Sequence, residues 1–207
     1  MTTAASWFLL ATLAVAICDW LAVATANKSA EYVCKPLTMV VLIGAALALD
    51  PVDGPMRTWF VIALVLSMLG DVFLMLPDEE KFFVPGLGAF LLGHVAYVVG
   101  LVEGGIDRLG LLLGIAMVVL AVIAVAPKVV RGARATDPRL GVPVAAYVGV
   151  ISVMVACAIG STVPAAIGGS ILFYLSDLTI GWSRFVQDFP LARLVIITTY
   201  HAAQILL

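Results

Sequence analysis

The sequence predicts an all-α membrane protein with eight transmembrane helices, forming a single domain over residues 1–207. Of the 207 residues, 63% are hydrophobic and only 12% are charged, whereas soluble domains carry about 25% charged residues. Apolar runs of about 18 or more residues, the length of a membrane-spanning helix, recur along the chain. The stretches between them are too short for a soluble domain. We therefore expect membrane lipids around the protein and no nucleic-acid partner; its oligomeric state stays open.

Polar or helix-breaking residues bound each apolar run. The second run has only 14 residues, about 21 Å of helix at 1.5 Å per residue. We therefore expect it to include a turn from residues 31–35 or to tilt little. Residues 50–56 are predicted to form a turn, and residues 127–139 the longest loop. The eight predicted spans are 6–25, 36–49, 57–76, 83–101, 109–126, 140–159, 165–181 and 191–207.

Basic residues fall mainly on one side of the predicted helices. The odd-numbered loops contain nine of the eleven Lys and Arg residues, and the other side has only Arg57 and Arg108. By the positive-inside rule, the odd-numbered loops are cytoplasmic and both termini are extracytoplasmic. We expect the membrane to be a bacterial cytoplasmic membrane.

Short similarities between the halves leave open a 4+4 pseudo-repeat. The segments MLGDVFL and YLSDLTI share a Leu-x-Asp pattern around Asp71 and Asp177. Pro36 precedes the first aspartate by 35 residues, and Pro143 precedes the second by 34. Four spans separate the halves, so they would run parallel, related by an axis along the membrane normal.

Two acidic residues lie inside apolar runs, Asp71 in SMLGDVFLMLP and Asp177 in FYLSDLTIGW. A carboxylate at membrane depth costs roughly 2.5–3.5 kcal/mol on insertion scales, so it normally faces a protein interior and is functional. Counted from the predicted cytoplasmic ends, both lie about 10 Å deep. We interpret them as two catalytic carboxylates, one acid and one base. The alternative is structural hydrogen bonding to neighbouring helices.

Further polar residues at similar depth are candidates for binding or orienting a substrate. Ser67 precedes Asp71 by one helical turn, and His94 shares a helix face with Tyr97. Lys35, at the level of the lipid headgroups, is a candidate phosphate ligand. Interhelical hydrogen bonding and snorkelling are the alternatives for such groups. The complete set of candidates is Asp19, Lys35, Ser67, His94, Tyr97, Tyr174, Tyr200 and Gln204.

The residues that commonly bind metals are few and scattered. The chain has two His and three Cys residues, without an HExxH motif or paired cysteines at metal-binding spacing. Phosphate-binding loops and dinucleotide fingerprints are also missing from the sequence. We therefore expect neither a metal nor a cofactor.

Four motifs in order resemble the YhhN family of membrane proteins, which includes the vertebrate lysoplasmalogenases. They are SxxGDxxL at 67–74, FxxGLxxFLxGHxxY at 83–97, FxxSD at 173–177 and YxxAQ at 200–204. The resemblance covers nearly the entire chain. It implies a hydrolase that cleaves the vinyl ether bond of lysoplasmalogens, which are lysophospholipids. The products would be a fatty aldehyde and a glycerophospho-headgroup. It also implies that Asp71 and Asp177 are the catalytic acids and that no cofactor is required.

The chemistry of that reaction suits two carboxylates. A vinyl ether is hydrolysed by protonation of its β-carbon, which gives an oxocarbenium ion that water captures. One neutral carboxylic acid and one carboxylate can divide this work, as in glycosidases. The alternative is a small proton-coupled transporter or lipid-binding membrane protein, in which the same acids relay protons or hold a cation.

Overall fold

The structure, a computed structural model, describes residues 2–50 and 53–207, apart from the side chains of residues 79 and 80. Within these residues the chain is all-α, as predicted, and contains no β-strand. A short 3₁₀ helix, Pro138–Leu140, precedes the sixth α-helix. The α-helices are α1 (Thr3–Ala24), α2 (Lys28–Ala48), α3 (Gly54–Met75), α4 (Glu79–Glu103), α5 (Arg108–Thr136), α6 (Gly141–Gly160), α7 (Pro164–Phe185) and α8 (Ala192–Leu206).

Helices α1 to α7 are each long and apolar enough to cross a membrane. The chain is therefore an integral membrane protein. Helix α8 has 15 residues, about 22 Å of helix at 1.5 Å per residue, against a hydrocarbon core of about 30 Å. An eighth membrane crossing therefore stays a prediction, and so does the orientation of the loops and termini.

Helix α2 begins before the apolar run that predicted it. Its N-cap is Asn27, whose Oδ1 accepts a hydrogen bond from the Ala30 N–H at 3.2 Å. Glu31 lies in the first turn, where the helix dipole favours an acid, and pairs with Lys28 at 3.3 Å. The extra turn expected from residues 31–35 is thus present, and the helix is long enough to span. Residues 51 and 52 of the predicted turn at 50–56 lie outside the described residues.

The predicted loop at 127–139 is wrong, because α5 continues through Pro127 as far as Thr136. Proline removes one backbone N–H and normally ends or kinks a helix. Here the helix continues because Val129 and Ala133, four residues apart, are both buried. Arg131 lies on the exposed side and its Nε donates to the Pro127 carbonyl at 2.8 Å. The burial of one face outweighs the local penalty of the proline.

Helices α1 to α4 form one compact unit, residues 1–103, in which helices adjacent in sequence pack together. The closest packing involves α3 and α4. Gly93 and Gly100 lie seven residues apart on α4. A Cβ atom added at Gly93 would lie 3.3 Å from the Ala63 carbonyl, and one at Gly100 would lie 2.6 Å from the Phe60 ring. Small residues allow this approach, as is usual between membrane helices.

Helices α5 to α8 form the second compact unit, residues 104–207. Helix α5 packs on α6 and α7, and α7 packs on α6 and α8. Gly110 and Gly114 allow α5 to approach α6, since an added Cβ would lie 2.9 Å from the Ile159 carbonyl and 2.8 Å from that of Ala156 respectively. Each unit has four α-helices among its described residues. A 4+4 pseudo-repeat and the single domain over 1–207 stay predictions.

Candidate catalytic carboxylates

The first predicted catalytic residue, Asp71, forms an ion pair with the neighbouring helix. Lys35 Nζ in α2 lies 2.9 Å from Asp71 Oδ1 in α3, and the two side chains are 14% and 2% exposed. Charges removed from water in this way need close partners to offset their desolvation. The lysine predicted to bind a phosphate therefore also supplies a counter-charge to Asp71.

The register of α2 against α3 places these two charges together. The Tyr32 hydroxyl of α2 donates to the Met75 carbonyl of α3 at 2.5 Å. Lys35 follows Tyr32 by three residues, and Asp71 precedes Met75 by four. Because the two helices run antiparallel, both residues lie about one helical turn from the hydrogen bond and on the same side of it. The Tyr32 hydrogen bond therefore holds the two helices in the register that the ion pair needs.

Other predicted site residues are buried where α3 and α4 approach each other. Ser67 is 1% exposed, and a Cβ added at Gly93 would lie 3.2 Å from its Oγ. His94 and Tyr97 are also 1% exposed. The rings of Tyr97 and Phe60 meet edge-to-face with 5.3 Å between centroids. The first unit thus buries several groups capable of hydrogen bonding close to the α3–α4 contact.

Asp19 of α1 is a second fully buried carboxylate in the first unit. Thr12, seven residues earlier on the same helix, is also fully buried, and its hydroxyl donates to the Phe8 carbonyl at 2.8 Å. The polar face that these residues share is packed inside the protein rather than exposed to lipid. Asp19 is therefore placed as expected of a functional acid, although its role stays a prediction.

The second predicted catalytic residue, Asp177 of α7, accepts a hydrogen bond from α6. The Tyr147 hydroxyl donates to Asp177 Oδ2 at 2.5 Å. Tyr147 is buried and Asp177 is half-buried. Val144 and Ile151 lie on the same buried face of α6, one turn before and one turn after the tyrosine. That face is packed inside the protein, and the Tyr147 hydroxyl extends from it to the carboxylate.

The contact between α7 and α8 buries the predicted residues near the C-terminus. Tyr200 and Gln204, 3% and 2% exposed, lie one turn apart on α8. The ring of Tyr200 meets Phe173 of α7 edge-to-face, with 5.5 Å between centroids. The Ser176 hydroxyl of α7 donates to the Ile196 carbonyl of α8 at 3.1 Å. Hydrogen bonding and aromatic packing thus position this face of α8.

Tyr174, one turn before Asp177, is a predicted site residue with a different environment. It packs against an apolar cluster of Val118, Val155 and Ala156, contributed by α5 and α6. This packing accounts for a large side chain at that position without a ligand. A role for Tyr174 in orienting substrate stays a prediction.

Tyr147 is not among the site residues predicted from the sequence. Tyr147 is the one polar side chain in the apolar segment VPVAAYVGV, and a lone hydroxyl inside a span is the signal that could have identified it. What periodicity does not reveal is that this hydroxyl reaches Asp177 on another helix. His201 was likewise not proposed as a site residue; it is 1% exposed and its ring lies 5.5 Å from that of Tyr200.

The described residues offer few ligands for a metal. Among the side chains that the structure describes, no three His, Cys, Asp or Glu come together in a group that could hold an ion. Cys18, Cys34 and Cys157 form no disulfide. Among the described side chains, the groups available for chemistry include carboxylates, hydroxyls, imidazoles, thiols and the Lys35 ammonium.

Comparison with known proteins identifies several relatives. Lysoplasmalogenase TMEM86B of Homo sapiens is 37% identical over 145 residues, 70% of this chain and 59% of that protein. A lysoplasmalogenase of Mycobacterium bovis is 34% identical over 173 residues, 82% of this chain and 66% of that protein. Lysoplasmalogenase TMEM86A of Bos taurus is 34% identical over 163 residues, 74% of this chain and 65% of that protein. The chain thus spans less than two thirds of the length of these relatives.

No solved structure matches the chain significantly. The YhhN family matches residues 30–207, a range that contains Lys35, Asp71, Tyr147 and Asp177. The match begins within α2, after the whole of α1, and continues to residue 207. The chain therefore belongs to the YhhN family.

Proposed function

We propose that this chain is a membrane hydrolase that cleaves the vinyl ether bond of lysoplasmalogen-type lysophospholipids. The products are a fatty aldehyde and a glycerophospho-headgroup. The main support is that the family match includes two aspartates inside apolar helices, each with a specific polar partner on the adjacent helix. The relatives named lysoplasmalogenases support the substrate class.

Each aspartate contacts a polar side chain on the adjacent helix, a lysine for Asp71 and a tyrosine for Asp177. Asp71 lies beside the Lys35 ammonium, an arrangement that suits a carboxylate remaining anionic. Asp177 accepts a hydrogen bond from the neutral Tyr147 hydroxyl. A protonated carboxyl group can accept this bond on its carbonyl oxygen and keep its proton for the substrate. We therefore assign Asp177 as the general acid and Asp71 as the general base.

The proposed reaction needs no group beyond these side chains and water. Asp177 donates its proton to the β-carbon of the vinyl ether, and the ether oxygen shares its lone pair to form an oxocarbenium ion. Asp71 takes a proton from the water that adds to this cation. The hemiacetal hydroxyl then gives its proton to the Asp177 carboxylate as the C–O bond to glycerol breaks, and Asp71 gives its proton to the leaving glycerol oxygen. This step releases the aldehyde and returns both aspartates to their starting protonation states. Such acid–base catalysis typically raises a reaction rate by roughly 10²–10⁴-fold.

The remaining sequence predictions complete the proposal. Lys35 is the candidate phosphate ligand, since its side chain is partly exposed. Asp19, Ser67, His94, Tyr97, Tyr174, Tyr200 and Gln204 are candidates for binding or orienting the substrate. The protein would lie in a bacterial cytoplasmic membrane with its odd-numbered loops in the cytoplasm. The substrate would then enter from the cytoplasmic leaflet.

Aspartate-to-asparagine variants test the proposal. Purified protein in detergent is given a lysophospholipid with a vinyl ether or one with the matched saturated ether, and aldehyde release is followed by mass spectrometry. We expect aldehyde only from the vinyl ether. Asp71→Asn and Asp177→Asn should each lower kcat by about a hundredfold or more, while both proteins remain folded and monodisperse.

Two other aspartates provide matched controls. Asp53 and Asp107 are N-caps of α3 and α5, and each accepts a hydrogen bond through Oδ1. Asparagine keeps that acceptor and is an equally good N-cap. Asp53→Asn and Asp107→Asn should therefore retain the wild-type rate. Near wild-type aldehyde release from Asp71→Asn or Asp177→Asn would contradict the carboxylate mechanism, and proton-coupled transport without aldehyde release would contradict the hydrolase.

A further inference from the structure

We propose that Tyr147 is a positioning residue, which acts on catalysis through Asp177. This inference rests on the hydrolase function proposed above. The hydroxyl has a defined target, because it donates to Asp177 Oδ2 from an adjacent helix. Asp177 is only half-buried, whereas Tyr147 is buried. The tyrosine is thus the fixed member of the pair, and it holds a more accessible carboxyl group in place.

Packing keeps the Tyr147 ring where this hydrogen bond requires it. The face of α6 that carries Tyr147 also carries Val144 and Ile151, 5% and 3% exposed. Buried neighbours one turn away on both sides restrict the rotamers that the ring can adopt. The hydroxyl is therefore already oriented toward the carboxyl group, and the ring does not have to change rotamer to form the hydrogen bond.

In the neutral form of Asp177, we take the oxygen that accepts from Tyr147 as the carbonyl oxygen, the stronger acceptor of the two. When Oδ2 accepts from Tyr147, the acidic proton of the neutral form lies on Oδ1. During the reaction that proton moves to the β-carbon, where the π electrons of the double bond form the new C–H bond. The O–H electrons stay on Asp177, which becomes a carboxylate.

The same hydrogen bond becomes stronger during that step. A hydrogen bond to a charged acceptor is roughly twice as strong as one between neutral groups. The Tyr147 hydroxyl therefore stabilises the carboxylate that forms more than the acid that reacts. An interaction that is stronger in the transition state than in the ground state raises kcat and leaves substrate binding nearly unchanged.

Replacement of Tyr147 tests this inference. Tyr147→Phe keeps the ring and removes the hydroxyl, so we expect kcat to fall about tenfold while KM stays within about twofold. Replacing Tyr147 by 3-fluorotyrosine preserves the shape and makes the hydroxyl a stronger donor. We therefore expect kcat to increase in the order phenylalanine, tyrosine, 3-fluorotyrosine. A merely structural role does not predict that order.

Ser152 provides a matched control on the same helix. It is 6% exposed and its hydroxyl donates to the Val148 carbonyl of its own helix at 2.7 Å. Ser152→Ala therefore removes one buried hydroxyl from α6 that has no bond to Asp177, and kcat should not change. This variant shows whether loss of any α6 hydroxyl is sufficient to lower the rate.

Each outcome either supports or overturns the inference. A lower kcat for Tyr147→Phe at constant KM, with Ser152→Ala unaffected, supports it. If the wild type releases aldehyde but Tyr147→Phe has an unchanged kcat, the role of Tyr147 is overturned and the hydrolase function is not. Equal rates for tyrosine and 3-fluorotyrosine would have the same meaning. No aldehyde release by the wild type from any vinyl ether lysolipid overturns the proposed function and this inference together.

Discussion

The ion pair between Lys35 and Asp71 predicts an asymmetry in stability. Removing one partner of a buried pair leaves a buried charge uncompensated and typically costs about 3–5 kcal/mol. The asymmetry arises because the Lys35 side chain is 14% exposed and that of Asp71 is 2% exposed. Loss of the lysine leaves the more deeply buried charge, whereas loss of the carboxylate leaves an ammonium that can extend toward water. Lys35→Met should therefore be the more harmful change.

The expected magnitudes follow from this burial. Lys35→Met should lower the free energy of unfolding by about 3 kcal/mol, the lower end of the range for buried pairs. This corresponds to a melting temperature about 6–12 °C lower for a chain of this size. Asp71→Asn keeps an acceptor for the ammonium and should cost only about 1 kcal/mol. The double variant should be more stable than Lys35→Met, because it removes both charges of the pair.

Thermal unfolding in detergent, followed by loss of monodisperse protein, measures all three variants. The control is Lys28→Met on the same helix. Lys28 pairs with Glu31 at 3.3 Å but is 61% exposed, and such surface pairs contribute about 0–1 kcal/mol. Equal losses for Lys35→Met and Asp71→Asn, or a double variant less stable than Lys35→Met, would refute the reasoning.

Two further predictions concern helix packing in the first unit. Gly93→Ala places a Cβ 3.2 Å from Ser67 Oγ and should lower the free energy of unfolding by about 1–2 kcal/mol through overpacking. The control is Gly88→Ala on the same helix, where the added Cβ meets nothing within 4 Å. This variant should keep the wild-type stability in the same melting assay. Tyr32→Phe removes the hydrogen bond to the Met75 carbonyl and should lower stability by about 1 kcal/mol. A stable Gly93→Ala protein, or a Tyr32→Phe protein with the wild-type melting temperature, would contradict the described contacts between α3 and its neighbours.

The sequence was sufficient to predict the helical class and the positions of most helices. Membrane spans are long apolar runs because backbone polar groups in lipid must bond within the helix, so composition alone identifies them. It was insufficient at Pro127, where the local preference of proline predicted a loop and the packing of Val129 and Ala133 continued the helix. The predicted span at 191–207 contains α8, a helix of 15 residues, and an eighth membrane crossing there stays a prediction.

Within the candidate site, sequence could identify the acids but not their partners. Asp71 and Asp177 stand out because a charge is unexpected in an apolar run. The bonds from Lys35 and Tyr147 join residues 36 and 30 positions apart in the chain. Helical periodicity shows only neighbours three or four residues away. Contacts between helices therefore had to come from the structure, and they turn two similar aspartates into residues with different partners.

Product analysis in heavy water tests the central claim most directly. If a side-chain acid that exchanges with solvent protonates the β-carbon of the vinyl ether, the aldehyde released in D₂O carries one deuterium on the carbon next to the carbonyl. Rapid trapping of the aldehyde followed by mass spectrometry reads this label. We expect one deuterium per aldehyde from the wild type, and a rate of aldehyde release from Asp71→Asn or Asp177→Asn that is lower by about a hundredfold or more. Aldehyde that is released without deuterium at that carbon would contradict protonation of the vinyl ether by the protein's carboxylic acid.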